Sequence, residues 1–208
     1  MRESEEEKYQ RLKSFDQKFY DQGINLLAGI DEAGRGPLAG PVVVACVIMQ
    51  KDVKILGIND SKKVSEKKRE KLYEQIMQEA VSVGVGIVDQ HRIDEINILN
   101  ATKEALTDAI SKLTVKPERI LVDALEHINT LGIPYTPIIK GDATSYSIAA
   151  ASIIAKVTRD RIMEEWDKVY PDYGFSKHKG YGTAEHIQKI KEIGPCILHR
   201  KSFIKNFI

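Results

Sequence analysis

Residues 26–49 read LLAGIDEAGRGPLAGPVVVACVIM. Leu26 to Ile30 is an apolar run that leads straight into Asp31 and Glu32, and Val42 to Met49 is a second, longer one. Apolar runs of this length bounded by turn formers read as buried strands. Between them lies a loop in which Gly34, Gly36 and Gly40 surround Arg35, with Pro37 and Pro41 as stiffeners. Glycines let a backbone take positive φ and come close to a ligand, and an arginine among them can meet a phosphate with its planar fork.

Working outward, Val81–Val88, Arg119–Val122 and Thr136–Ile139 read as three further strands. Helices are predicted over 1–22, 66–80, 94–113, from near Asp142 through SIAAASIIAKVTRDRIMEEW, and over 183–193, followed by an irregular basic tail. Three consecutive strands and then strands alternating with helices imply an α/β fold whose sheet mixes antiparallel and parallel pairing. Tyr9, Leu12, Phe15 and Phe19 recur at three- and four-residue steps, which makes the first helix a charged segment docked on the main domain; Gly23 ends it. The expected organisation is therefore an N-terminal helical appendage over 1–22 and one catalytic domain over 23–208.

The first and fourth strands both end in an aspartate, Asp31 and Asp123. If those strands are parallel neighbours, both carboxylates emerge at one edge of the sheet, where open α/β folds bind ligands. Two carboxylates there repel unless a cation lies between them, and Mg²⁺ or Mn²⁺ takes oxygen ligands of this kind. Glu32 joins Asp31 only if the strand breaks, because neighbouring strand residues point to opposite faces.

The 208 residues are 42% apolar and 29% charged with a formal net charge of +1, a globular composition with no membrane-length apolar run and no signal-peptide core. Cys46 and Cys196 show neither metal-ligand nor redox spacing and suit a reducing cytoplasm. Charge is uneven. From Gly174 onward seven Lys or Arg stand against Glu185 and Glu192, and a second basic run, SKKVSEKKREK, follows Asp60. Two basic segments flanking a carboxylate cluster suit a polyanion held over metal ions.

Taken together, Gly29–Pro37 (GIDEAGRGP), Asn59–Lys63 (NDSKK), Val122-Asp123, Lys140–Asp142 (KGD), Ala150–Lys156 (AASIIAK) and His178–Tyr181 (HKGY) resemble the pattern of the ribonuclease HII family, in order, over about residues 25–205. The resemblance implies a ribonuclease H-like fold, with a five-stranded sheet flanked by helices and the N-terminal helix as an extra. It implies an endonuclease of DNA replication and repair that cuts RNA paired with DNA and ribonucleotides embedded in DNA. It further implies products with 5′-phosphate and 3′-hydroxyl ends and a chain that acts as a monomer. By matching position, Asp31, Glu32, Asp123 and Asp142 would hold two divalent ions, Mn²⁺ or Mg²⁺. Gly34, Arg35, Gly36 and Tyr181 would sense the 2′-hydroxyl. Lys62, Lys63 and Lys179 would hold phosphates without reading sequence.

Asp142 and Asp160 are both expected on the long helix, 18 residues and about 27 Å apart, so only one can reach the metals. Asp142, at the helix start and able to cap it, is the expected ligand, and Asp160 the expected member of an exposed ion-pair face. The competing readings are the similar ribonuclease HIII family, which usually lacks an arginine where Arg35 stands, other carboxylate nucleases of the fold, and a non-catalytic hybrid-binding module.

Overall fold

A computed structural model describes residues 3–206. The two apolar runs joined by the glycine loop form an antiparallel pair, β1 (Leu27–Ala33) and β2 (Val42–Met49), with Ala28 opposite Ile48 and Ala33 opposite Val43. β3 (Ala80–Val88) adds antiparallel to β2. On the other side of β1, β4 (Arg119–Asp123) and β5 (Tyr135–Ile138) run parallel to it, giving the order β3-β2-β1-β4-β5. The sheet is five-stranded and mixed, as the alternation of runs implies. Every residue of β2 is buried, as a strand covered on both faces requires.

The helices are α1 (Glu5–Tyr20), α2 (Glu66–Glu79), α3 (Gln90–Ser111), α4 (Tyr146–Val169), α5 (Phe175–His178), α6 (Ala184–Ile193) and α7 (Lys201–Ile204). α1, α2 and α4 share one core with Ala33, Ala45, Val47 and Met49; α3 covers the opposite face, over Ala28, Ile30, Val44 and Cys46. α4 lies very close to β1 because Gly29 has no side chain. A methyl group there would come within 2.1 Å of the Ser147 carbonyl carbon. That contact seats the start of α4 over the strand that carries Asp31.

Several boundaries differ from expectation for local reasons. The expected helix over 1–22 is observed from Glu5, where Ser4 and Glu7 form a reciprocal capping box; positions 1 and 2 lie outside the described residues. α3 starts at Gln90 rather than near 94, because the Asp89 side chain accepts from Arg92 N–H, and its axis kinks at Asn97, whose φ is 68°. α4 starts at Tyr146, capped by Ser145. Asp142 therefore lies off that helix, in a separate short turn over Gly141–Ala143. The tail is not wholly irregular, since it contains α7. Among the described residues no helix is long and apolar enough to cross a membrane.

Candidate active site

The parallel register of β1 and β4 pairs Ile30 with Val122. The next position on each strand is Asp31 and Asp123, just beyond the last paired residues of two strands that run about 4.8 Å apart. Asp31 is buried. Its carboxyl is held well above the ordinary aspartate range by that burial first, then by the charges of Glu32, Asp123 and Asp142. Burial also raises Glu32, against the pull of Arg35, whose guanidinium lies 3.3 Å from Oε1. Asp142 is raised by burial and then by Asp60 and Asp123. All four acids thus act on one local field.

Glu32 reaches this cleft although β1 does not break as anticipated. Pairing with β2 continues through Glu32 and Ala33, while pairing with β4 stops at Ile30. An open edge on the β4 side, not a broken strand, gives Glu32 its access. Two of the acids accept a backbone bond: Asp31 Oδ1 accepts from the Glu32 N–H at 2.8 Å, and Asp123 Oδ1 from the Gly141 N–H at 2.8 Å. Among the described residues no three acidic, histidine or cysteine side chains are gathered closely enough to hold a metal ion by themselves. The donor set is hard oxygen throughout, the chemistry that suits Mg²⁺ or Mn²⁺ and that leaves coordination positions for water and phosphate.

The opposite wall of the cleft is the glycine loop. Two buried arginines hold it from behind. Arg200 donates to the carbonyls of Gly34 (2.6 Å), Arg35 (3.1 Å) and Gly40 (2.8 and 2.9 Å). Arg159 donates to those of Pro41 (3.0 Å), Ala39 (3.1 Å) and Lys179 (2.9 Å). In a trans peptide the N–H points opposite to the preceding carbonyl, so the N–H groups of Arg35 and Gly36 face away from Arg200, into the cleft that Gly34–Gly36 line. Gly34 has φ +98°, and a methyl there would come within 2.1 Å of Arg159 Nε, so only glycine fits. Burial pulls Arg159 down to about 10 and Arg200 to about 9, and both stay charged at neutral pH.

Tyr181 closes this wall, with its ring near Gly36, 5.9 Å from Lys156 Nζ and 5.8 Å from the Arg159 guanidinium carbon. Its backbone is clamped by histidines. His186 Nδ1 bonds the Tyr181 carbonyl at 2.9 Å, its Nε2 meets His199 Nε2 at 3.0 Å, and His199 Nδ1 accepts from the Cys196 N–H at 3.0 Å. Only one set of tautomers satisfies this chain: His186 protonated on Nδ1 and His199 on Nε2.

The ribonuclease HII family model matches residues 28–206, from the second residue of β1 to the end of the described chain. The chain belongs to the ribonuclease HII family. It is 56% identical over 206 residues to the ribonuclease HII of Acetivibrio thermocellus, covering 99% of this chain and 80% of that one. Its fold superposes with a TM-score of 0.73 on the ribonuclease HII of a PCNA complex from Archaeoglobus fulgidus, at 30% identity, with 88% of this chain and 96% of that one covered. A ribonuclease HIII, Bst-RNase HIII crystallised with Mn²⁺, shares the fold at TM-score 0.64 and 20% identity, over 84% of this chain and 65% of that one. Membership in the ribonuclease HII family makes this chain a nuclease of the ribonuclease H type that acts on RNA–DNA hybrids.

Within this ribonuclease HII cleft, Asp31, Glu32, Gly34, Arg35, Gly36, Lys62 and Tyr181 line one depression, with Asp123 and Asp142 beside it. Partial burial opposes the charge of Lys62, but Asp31, Asp60 and Asp142 outweigh it and hold the amine above its usual range. Lys63 is exposed and pairs with Asp60 at 3.2 Å. Lys179 is not in the cleft lining; its amine is bound to Glu164 at 2.6 Å and to the Ser176 carbonyl. Asp160 is not on an exposed face either: it is buried between Lys156 (2.6 Å) and Arg69 (3.5 Å).

Sequence reasoning missed Asp60, Lys156, Arg159, Arg200 and His186. Lys156 and Asp60 stand inside the quoted motifs and could have been found there. The other three carry no local signal.

Proposed function

We propose that this ribonuclease HII hydrolyses the RNA strand of RNA–DNA hybrids and cuts DNA duplexes at embedded ribonucleotides, leaving 5′-phosphate and 3′-hydroxyl ends. The observation that carries the reading is the cleft with two unlike walls. Asp31 and Glu32, with Asp123 beside them, and a backbone loop with Tyr181 border one depression. Asp31, Glu32, Asp123 and Asp142 would hold two divalent cations, Mn²⁺ or Mg²⁺. When bound, these supply the charge that makes a water nucleophilic at neutral pH and offsets that of the phosphate and departing oxygen.

The protein's own groups do the rest. Lys62, kept protonated by its acidic neighbours, offers a fixed positive charge to a phosphate oxygen. The N–H groups of Arg35 and Gly36 and the Tyr181 hydroxyl offer donors and an acceptor to the 2′-hydroxyl, the group that distinguishes RNA from DNA. Arg35, half-exposed and paired with Glu32, can exchange that partner for phosphate. Lys63, free on its solvent side, suits the duplex backbone, whereas Lys179 is engaged by Glu164 and would act by holding the loop that carries Tyr181. The acting unit in this reading is a monomer, and the two free thiols suit a reducing cytoplasm.

Incubation with a DNA duplex carrying one ribonucleotide, its all-DNA counterpart and a long hybrid tests the reading. Cleavage beside the ribonucleotide that EDTA abolishes and Mn²⁺ restores is expected. Equal cleavage of the all-DNA duplex would overturn it.

A further inference from the structure

The family match begins at residue 28, so α1 lies outside it. The helix nevertheless reaches the site's framework through a single buried acid. Asp16 is fully buried. Its Oδ1 accepts from the Ser145 hydroxyl at 2.6 Å, and its Oδ2 from the Ser147 N–H at 2.9 Å and the Ser147 hydroxyl at 2.7 Å. Ser145 is the N-cap of α4, and its own oxygen accepts from Ile148 N–H. One turn earlier on α1, Arg11 donates to the Ala143 carbonyl at 2.8 Å.

These bonds bracket Asp142. The turn Gly141–Ala143 is tied at its front by the Gly141 N–H to Asp123, and internally by the Ser145 N–H to the Gly141 carbonyl at 2.8 Å. At its far end α1 adds ties through Arg11 to Ala143 and through Asp16 to Ser145 and Ser147, beside the bonds from the Ala149 N–H to the Ser145 carbonyl at 3.0 Å and from the Thr144 hydroxyl to the Lys140 carbonyl at 2.8 Å. A carboxylate at a helix N-terminus is favourable, but burying one is costly unless every lone pair is used. An apolar residue would pack α1 on α4 without that demand. A carboxylate that takes three bonds from the two serines after Asp142 fixes where that turn sits.

We propose that Asp16 is a positioning residue for the cleavage reaction, holding the Gly141–Ser147 segment so that Asp142 stays beside Asp123 and Asp31. The proposal rests on the reading of Asp142 as a metal-holding acid. α1 is then a working part of the nuclease rather than an attached helix.

The test compares Asp16→Ala, Asp16→Asn and Leu12→Ala in the full chain. Leu12 is equally buried on α1, in the core shared with α4, but touches none of the tied segment's polar groups. Three quantities are measured: kcat and KM on a single-ribonucleotide duplex at saturating Mn²⁺, Mn²⁺ affinity by calorimetry without substrate, and Tm. Asp16→Ala is expected to lower kcat and weaken Mn²⁺ binding by about 10–100-fold, the range for groups that orient metal ligands, with KM little changed. Asp16→Asn should recover most of both, since its amide oxygen still accepts from Ser147 N–H. Leu12→Ala should lose Tm but keep kcat and Mn²⁺ affinity.

If Asp16→Ala does not fold, Ser147→Ala, which removes one donor to the same carboxylate, should show the same two losses in smaller measure. Unchanged kcat and Mn²⁺ affinity in the folded Asp16 variant, or parallel losses in Leu12→Ala, overturn the proposal. Asp142→Asn separates the two levels. If it cleaves normally, the reading of Asp142 falls and the proposal with it; if it is inactive while Asp16→Ala is not, the proposal alone falls.

Discussion

The two walls of the cleft are built on opposite principles. The acidic wall consists of adjacent residues at strand ends, brought together by one parallel register, and its charges repel one another. In the loop wall the like charges of Arg159 and Arg200 also oppose each other, but both guanidiniums are spent on backbone carbonyls. Its carbonyls are saturated by Arg159 and Arg200, and its tyrosine is fixed by a histidine chain. One wall holds electrostatic tension for use on a ligand, and the other is rigid by satisfaction. Substitutions in the first should therefore remove activity without harming the fold, and those in the buried arginines that hold the second should harm both.

The largest effect is expected from Asp31→Asn and Asp123→Asn. Each should lower kcat by about 10³-fold, equivalent to about 4 kcal/mol of barrier, while Tm stays level or rises because a repulsion is relieved. Initial rates in excess Mn²⁺ and a melting curve check both halves, and a large drop in Tm would erase the contrast between the walls. Next comes Arg200→Ala, which strands several buried carbonyls. It should reduce stability by about 3 kcal/mol in urea unfolding and lower activity as well. Arg200→Lys should rescue little, because an ammonium cannot span three carbonyls as the planar fork does.

A third prediction uses pH. Burial, more than any other influence, holds His186 and His199 at about 4, below the ordinary 6.5. The unfolded chain takes up protons below about pH 6.5, and the folded chain does not until about 4. The histidine chain's contribution is therefore complete above 6.5 and is lost as pH falls towards 4. One such histidine accounts for about 2 kcal/mol lost between pH 7 and pH 5. His186→Gln should flatten that slope in urea unfolding at the two pH values, and an unchanged slope would show that the chain is not what the acid limb reports.

A smaller effect, confined to substrate choice, is expected from Tyr181→Ala. It should cut cleavage of a single embedded ribonucleotide by about tenfold, the value of one hydrogen bond, with Mn²⁺ titration unmoved. Smallest is Lys63→Ala, which should reduce the salt dependence of hybrid binding by about one unit of slope. Lys179→Met should leave that slope alone.

The same division governs what the amino-acid order revealed. The five strands, the mixed sheet and the meeting of Asp31 with Asp123 follow from short apolar runs that end in acids, so a local reading finds them. The start of α4 was misplaced because Asp142, Thr144 and Ser145 are all capping types within four positions, and only the close approach at Gly29 and the Asp16 contact select Ser145. The basic tail misled in a different way. Its charge reads as a surface for a polyanion, yet Arg200 is buried, Lys179 is neutralised by Glu164, and His178, His186 and His199 are interior. Charge in a sequence does not say whether it meets solvent, a ligand or the chain's own carbonyls.

The bond from Arg200 to the Gly34 carbonyl spans 166 residues. During synthesis the β1–β2 hairpin can pair as soon as residue 49 has left the ribosome, and β4 can join it about 75 residues later, so the acidic edge assembles early. The loop wall cannot set until residue 200 has emerged and closed that long circuit, an order imposed by chain topology. A nascent chain therefore holds its acids in place well before it can grip a ribonucleotide, and competence arrives only once Arg200 is in place.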